Sequence, residues 1–328
     1  MHDDVLNIDN LQLSFPIYNG EVQALNEVSL HVKRGEIVGV VGESGSGKSV
    51  TAMLAMRLLP PNSYRINGGS LTLLGQDVLN ADEKQMRRLR GAKVAMIFQE
   101  PMTALNPTRR IGRQMTDVIR QHQPLSRKAA LEKAVSLLSD MQISDAAQVM
   151  DRYPFELSGG MRQRVVIALA FSCDPALIIA DEPTTALDVT VQRQVLRLLQ
   201  QKARASGTSV LFISHDMAVV SQLCDRLYVM YAGRVIESGV TQDVIKRPVH
   251  PYSIGLLRCA PETSAPRAVL PAIPGTVPNL ASMPAGCAFR ERCCAADERC
   301  LQQPALTSCG ASGQRAACWH PQREVAYV

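Results

Sequence analysis

Gly42, Glu43, Ser44, Gly45, Ser46, Gly47, Lys48 and Ser49 run as glycine, four residues, glycine, lysine, serine. This spacing suits a loop that wraps phosphate in backbone N–H groups, because glycines permit the tight path and a following helix adds partial positive charge at its N-terminus. Lys48 is then placed to reach the β- and γ-phosphates, and the Ser49 hydroxyl to ligate Mg²⁺. Further along, the apolar run Leu177–Ala180 leads into Asp181 and Glu182. The first carboxylate can hold a Mg²⁺ shell and the second can polarise an attacking water. A strand that merely ends in two acids explains that segment equally well alone; beside the phosphate loop it reads as the other half of a nucleotide site. Ser158, Gly159 and Gly160 open another helical segment with a capping hydroxyl and two glycines. An ordinary N-cap before a buried helix explains this segment when it is taken alone; since one nucleotide needs one such cradle, the second points to a nucleotide held by another subunit.

A different chemistry gathers at the end of the chain, where residues 287–328 hold six of the nine cysteines: Cys287, Cys293, Cys294, Cys300, Cys309 and Cys318. Metal binding or disulfides account for that density better than packing, and a reducing cytoplasm favours metal.

These groups need elements to position them. The runs Ile37–Val41, Leu177–Ala180 and Val210–Ser214 are almost wholly apolar, as strands buried on both faces are, and predict an α/β fold with a mostly parallel sheet flanked by helices. The phosphate loop falls between the first run and a helical Val50–Leu59; Ser158–Gly160 precede a helical Arg162–Phe171. Helix formers from Glu100 to about Met150 predict a helical subdomain inserted in the sheet domain, at about residues 100–172 in all. The period-two segments Val5–Phe15 and Ala24–Val32 predict half-exposed antiparallel strands of a small β-subdomain. Prolines 261, 266, 271, 274, 278 and 284 break any helix or central strand. The expected division is a nucleotide-binding domain at 1–249 and an appendage at 250–328, held together by something other than a large core.

With 328 residues, 46% apolar and 20% charged, and a mean hydropathy of −0.01, the chain has the profile of a water-soluble globular protein rather than a disordered or collagenous one. No apolar stretch nears the roughly 18 residues of a spanning helix, and the first ten residues lack the apolar core of a secretory signal. A cytoplasmic location is expected, with any membrane role exercised through partners. The net charge of +5 is scattered, so nucleic-acid binding is not implied.

Taken in order, Gly42–Ser49, Gln99, Leu157–Met161, Leu177–Glu182, Ala186–Asp188 and His215 resemble the Walker A, Q-loop, signature, Walker B, D-loop and H-loop segments of the ABC-type ATPases. That resemblance spans about 250 residues. It implies a RecA-like core with a β-subdomain and the helical insertion, two such domains sandwiching two ATP molecules head to tail. By position, Glu182 becomes the general base, Asp181, Ser49 and Gln99 the Mg²⁺ partners, and His215 the γ-phosphate contact. Phe15, with Tyr18 as its rival, becomes the aromatic that stacks on adenine.

Gln99–Pro107, Ala180–Asp188 and His250–Leu257 further resemble the ATP-binding subunits of bacterial dipeptide and oligopeptide importers, and Ser14–Asn19 with Pro278–Phe289 lean towards the D,D-dipeptide type. The resemblance implies a peripheral protein on the cytoplasmic face of the inner membrane. Its partners would be a second ATPase subunit, two permease subunits and a periplasmic peptide-binding protein. ATPases of nickel or other small-solute importers, and soluble non-transport ABC ATPases, are the competing classes. In the peptide branch the pattern Cys287-x5-Cys293-x6-Cys300-x17-Cys318 ligates a [4Fe–4S] cluster. Four thiolates suit such a cluster; zinc also accepts four thiolates, though usually in closer pairs, and plain buried thiols are a third reading. Cys294, beside Cys293, is the alternative second ligand, and Trp319 and Phe289 are placed to shield the site from water.

Overall fold

The computed structural model describes residues 3–18, 20–99, 104–184, 187–259, 272–309 and 313–321. Their compact packing divides into two units, one of residues 1–5, 33–36 and 80–211, the other of residues 6–32, 37–79 and 212–328.

The second unit carries two sheets. In the first, Gly20–Lys33, Asp4–Ile17, Arg65–Leu73 and Gln76–Asp77 lie side by side, with Leu6 opposite Leu73 and Ile8 opposite Leu71 in antiparallel register. The period-two alternation puts Leu6 and Ile8 into the interior, then slips at Asn10, which turns to φ 46°, and resumes with Leu11 and Leu13 inside. Ile37–Val41 is buried at every position and pairs in parallel with Arg226–Tyr231, Val38 against Arg226 and Val41 against Val229. Arg226–Tyr231 and Arg234–Val240 then form a hairpin whose turn residues Ala232 and Gly233 both have positive φ, the geometry that suits a tight two-residue hairpin.

Residues 250–328 are the stretch expected to be an appendage held together by something other than a large core. Their described part packs within this unit. Arg315–Ala316 adds antiparallel to Arg234–Val240, and Phe289 enters an aromatic cluster with Tyr231 and Tyr252 at ring-centre distances of 5.3 and 5.4 Å. Proline breaks helices but leaves aromatic burial available, and these rings supply the missing core.

In the first unit Val94–Ile97 and Leu177–Asp181 pair in parallel, Val94 against Leu177 and Ile97 against Ala180. Helices Ile111–His122, Arg127–Asp140 and Ala146–Val149 occupy the region expected to be helical, and no strand interrupts residues 104–150 among those described. Gly159–Ala170 and Val189–Ser206 complete the unit. The helix after the phosphate loop is shorter than the sequence suggested, Lys48–Ala55, because Arg57 turns to φ 49°. Val94–Ile97 and the hairpin went unread in the sequence. No helix among the described residues is long and apolar enough to cross a membrane.

Candidate functional site

The phosphate loop leaves the buried strand Ile37–Val41 and ends on the helix Lys48–Ala55, whose N-cap Gly47 sits at φ 97°. Two glycines are demanded by space as well as conformation. A Cβ on Gly42 would lie 2.1 Å from the carbonyl oxygen of Met230, and one on Gly47 would lie 2.8 Å from that of Ala24. At Gly45, φ +80° with nothing within 4 Å, the backbone needs only the left-handed conformation. Inside the loop the Lys48 ammonium, 5% exposed, donates to the carbonyl oxygens of Gly42 at 2.8 Å and Glu43 at 2.9 Å. A buried cation ringed by loop carbonyls and bordered by the exposed Ser44, Gly45 and Ser49 is a donor set for a polyanion.

The acids at the end of Leu177–Asp181 differ in setting. Asp181 is buried, and Glu182 adopts φ 46°, a left-handed conformation that costs a side-chain-bearing residue energy and recurs at functional sites. Gln99 donates from Nε2 to Glu182 Oε2 at 3.1 Å. Within this unit, therefore, Gln99 and Glu182 are brought together.

Ser158 caps Gly159–Ala170, its hydroxyl accepting from the Met161 N–H at 3.3 Å. Gly160 is needed for packing: a Cβ there would meet Val191 Cγ1 at 2.6 Å. Asp188 caps the partner helix by accepting from the Val191 N–H at 3.0 Å. In the other unit, His215 is exposed after Ser209–Ser214, and Asp216 caps the helix Met217–Leu223. Phe15 is half-buried, whereas Tyr18 is 101% exposed. Ala186 and residues 100–103 lie outside the described residues.

Cys287, Cys293, Cys300 and Cys318 line one small cavity together with Phe289 and Trp319. Cys294 points elsewhere and is exposed; Cys309 does not line the cavity either. Burial pushes the Cys287 and Cys293 thiols up and Cys318 up to about 12, and in each case the neighbouring thiols push the same way. Four sulfurs gathered on one cavity, that of Cys300 buried and the other three half-buried, would repel one another as thiolates, a charge that a cationic centre neutralises. The lining includes Cys293 and not Cys294. At its rim His320 Nε2 lies 2.9 Å from Asp297, and Asp297, Cys300 and His320 present ligand atoms close together. The Asp297 and His320 contribution was not visible in the sequence, because neither residue stands in a ligand-like spacing.

The cage adjoins the segment His250–Leu257. His250 is 1% exposed; its Nδ1 accepts from the Tyr252 N–H at 3.0 Å and caps the helix Pro251–Arg258. Burial pushes this imidazole down to about 3. Glu237, itself buried, accepts from the Val249 and His250 N–H groups at 3.0 Å each and from Gln314 Nε2 at 2.7 Å, while burial outweighs these bonds and holds its carboxyl above the usual range.

Comparison with known proteins agrees with this geometry. The family model described as "ABC transporter" matches residues 25–185, and that described as "Oligopeptide/dipeptide transporter, C-terminal region" matches residues 236–300. The chain is 73% identical over 328 residues, all of both chains, to the probable D,D-dipeptide transport ATP-binding protein DdpD of Escherichia coli (strain K12). It is 46% identical over 323 residues to the oligopeptide transport ATP-binding protein OppD of the same organism, covering 98% of this chain and 95% of that one. The dipeptide transport ATP-binding protein DppD of Bacillus subtilis (strain 168) is 46% identical over 291 residues, 89% of this chain and 87% of its own. Among solved structures, the dimeric bacterial ABC transporter cassette MJ0796 superposes with a TM-score of 0.64 over 72% of this chain and 98% of that chain, at 24% identity, a likeness of fold. The chain belongs to the ATP-binding subunits of the ABC-type dipeptide and oligopeptide transporters, and its fold is the ABC ATPase cassette.

Proposed function

We propose that this chain hydrolyses ATP to drive the import of short peptides, D,D-dipeptides such as D-alanyl-D-alanine in the first instance. The observation that carries the reading is the end-to-end 73% identity to a probable D,D-dipeptide transport ATP-binding protein. It acts at the cytoplasmic face of the inner membrane, beside a second ATPase subunit, with two permease subunits and a periplasmic peptide-binding protein. Residues 1–249 form the ATPase domain, with the helical subdomain at about 100–172, and 250–328 the extension.

In this reading Gly42–Ser49 wrap the phosphates, Lys48 holds the β- and γ-oxygens, and Ser49, Asp181 and Gln99 attend Mg²⁺. Glu182 takes a proton from the attacking water, His215 contacts the γ-phosphate and Phe15 stacks on adenine, with Tyr18 the alternative. Ser158, Gly159 and Gly160 complete the partner's site. ATP gripped from two sides closes the pair, and loss of the γ-phosphate contact releases it. A groove lined by Arg109, Arg113, Arg120 and Lys128 with Asp117 and Leu131 supports docking of a permease segment on the helical subdomain. Cys287, Cys293, Cys300 and Cys318 hold a [4Fe–4S] cluster, which would supply a four-point covalent tie and a one-electron couple.

Co-expression with its neighbouring permeases and reconstitution into vesicles tests the reading. ATP turnover stimulated by the binding protein loaded with D-alanyl-D-alanine is expected; stimulation by nickel or another small solute, or turnover indifferent to permeases, overturns it.

A further inference from the structure

Glu43 is the second residue of the phosphate loop, and three groups hold it. Its carbonyl oxygen accepts from Lys48 Nζ at 2.9 Å, and its N–H donates to the Tyr252 hydroxyl at 2.8 Å. Its carboxylate takes a two-pronged bond from Arg292, Nη1 to Oε2 at 2.7 Å and Nη2 to Oε1 at 3.1 Å. Two of the three come from beyond residue 249.

Arg292 is built in rather than draped over the surface. It is 8% exposed; Nε donates to the Pro274 carbonyl at 2.9 Å and Nη1 to the Tyr231 hydroxyl at 3.2 Å. Its guanidinium lies 5.7 Å from the Tyr231 ring centre and 5.8 Å from that of Phe289. Along the chain it sits in the turn Arg290–Arg292, between Cys287 and Cys293, and backbone bonds from Arg290 to Cys287, and from Cys293 to Arg290, close that turn.

The charges make the arrangement informative. A loop that receives a triphosphate carries a carboxylate whose charge repels it, and a buried guanidinium fork neutralises that charge while fixing its direction. We propose that Arg292 is a positioning residue for the phosphate loop: it cancels the Glu43 charge and thereby makes nucleotide affinity depend on the order of the cysteine-bearing turn. This rests on the reading that phosphate binds at Gly42–Ser49.

Calorimetric titration of Mg-ADP into the full-length chain, purified anaerobically, tests it. Arg292→Met leaves the Glu43 carboxylate without its fork and is expected to weaken binding about tenfold. Adding Glu43→Gln to Arg292→Met removes the leftover charge and restores affinity to within about threefold of the parent. Lost packing alone would not respond to that second change. Fluorescence of Trp319, the sole tryptophan and a lining residue of the cysteine cavity, verifies that the tail is folded in every sample. Should Arg292→Met not fold, Arg292→Gln, which removes the charge but keeps a polar head, serves with and without Glu43→Gln in the same comparison. Affinity unchanged by the Arg292 substitution, or no recovery in the double variant, overturns the proposal. A parent protein that binds no nucleotide overturns instead the phosphate-loop reading beneath it.

Discussion

Gln99 and Glu182 stand side by side because Ile97 pairs with Ala180 in parallel register. Two residues beyond that pair, the Gln99 amide reaches the Glu182 carboxylate at 3.1 Å. Neighbouring parallel strands end at the same edge, which is where α/β sheets place their chemistry. The link gives Gln99 a direct hold on the proposed base.

That relationship makes Glu182→Gln the sharpest chemical test. The substitution keeps shape and removes the proton acceptor, so turnover in the assembled complex should fall by at least about 100-fold while ATP affinity is retained. Hydrolysis at near the parent rate would remove Glu182 from the role of base.

Gly160 separates packing from catalysis. With Val191 Cγ1 only 2.6 Å from where a Cβ would stand, and with a β-branched neighbour that cannot swing aside, Gly160→Ala should cost about 1–3 kcal/mol in urea unfolding. Val191→Ala opens the space and should return most of that stability. If Ser158–Gly160 also bind the partner's nucleotide, turnover of the double variant stays low; full recovery of turnover along with stability would leave Gly160 a packing residue only.

His250 sets an acid limit on the extension. Folded, its imidazole stays neutral down to about 3; unfolded, it takes a proton near its ordinary value of about 6.5. Below that point the unfolded state binds the extra proton, so stability declines as pH falls, by up to about 1.4 kcal/mol per pH unit. Glu237 works in the opposite sense, since a carboxyl raised by burial favours folding at low pH and loses that favour as pH rises. The difference between the parent and His250→Asn isolates the histidine. Asn can still cap the helix and does not titrate, so unfolding followed through Trp319 should show the gap between the two narrowing from pH 7 to pH 5. A gap that is constant with pH would refute the assignment.

The cysteine cage predicts its own membership. Metal analysis after anaerobic purification should find iron and sulfide in the parent and in Cys294→Ser, and their loss in Cys318→Ser and Cys293→Ser. Zinc without iron would replace the cluster with a structural metal ion; full metal retention in Cys318→Ser would break the four-cysteine set.

Much of this was legible before any coordinates. The phosphate loop could be read because only glycine tolerates the positive φ at positions 42, 45 and 47, and such backbone demands write themselves into residue identity. Strands buried on both faces, such as Ile37–Val41 and Leu177–Asp181, announce themselves as unbroken apolar runs for the same kind of reason: local environment selects residue type directly. Val94–Ile97 escaped notice because four residues carry little periodicity, and its place became clear only through pairing with Leu177–Asp181. The extension shows the other limit. Nothing local marks Arg292 as a partner of Glu43, 249 positions earlier, or His250 and Tyr252 as neighbours of Phe289. Long-range ion pairs and ring contacts depend on which surfaces the chain brings together, and a charged or aromatic side chain has the same letter whether it meets water or a distant loop.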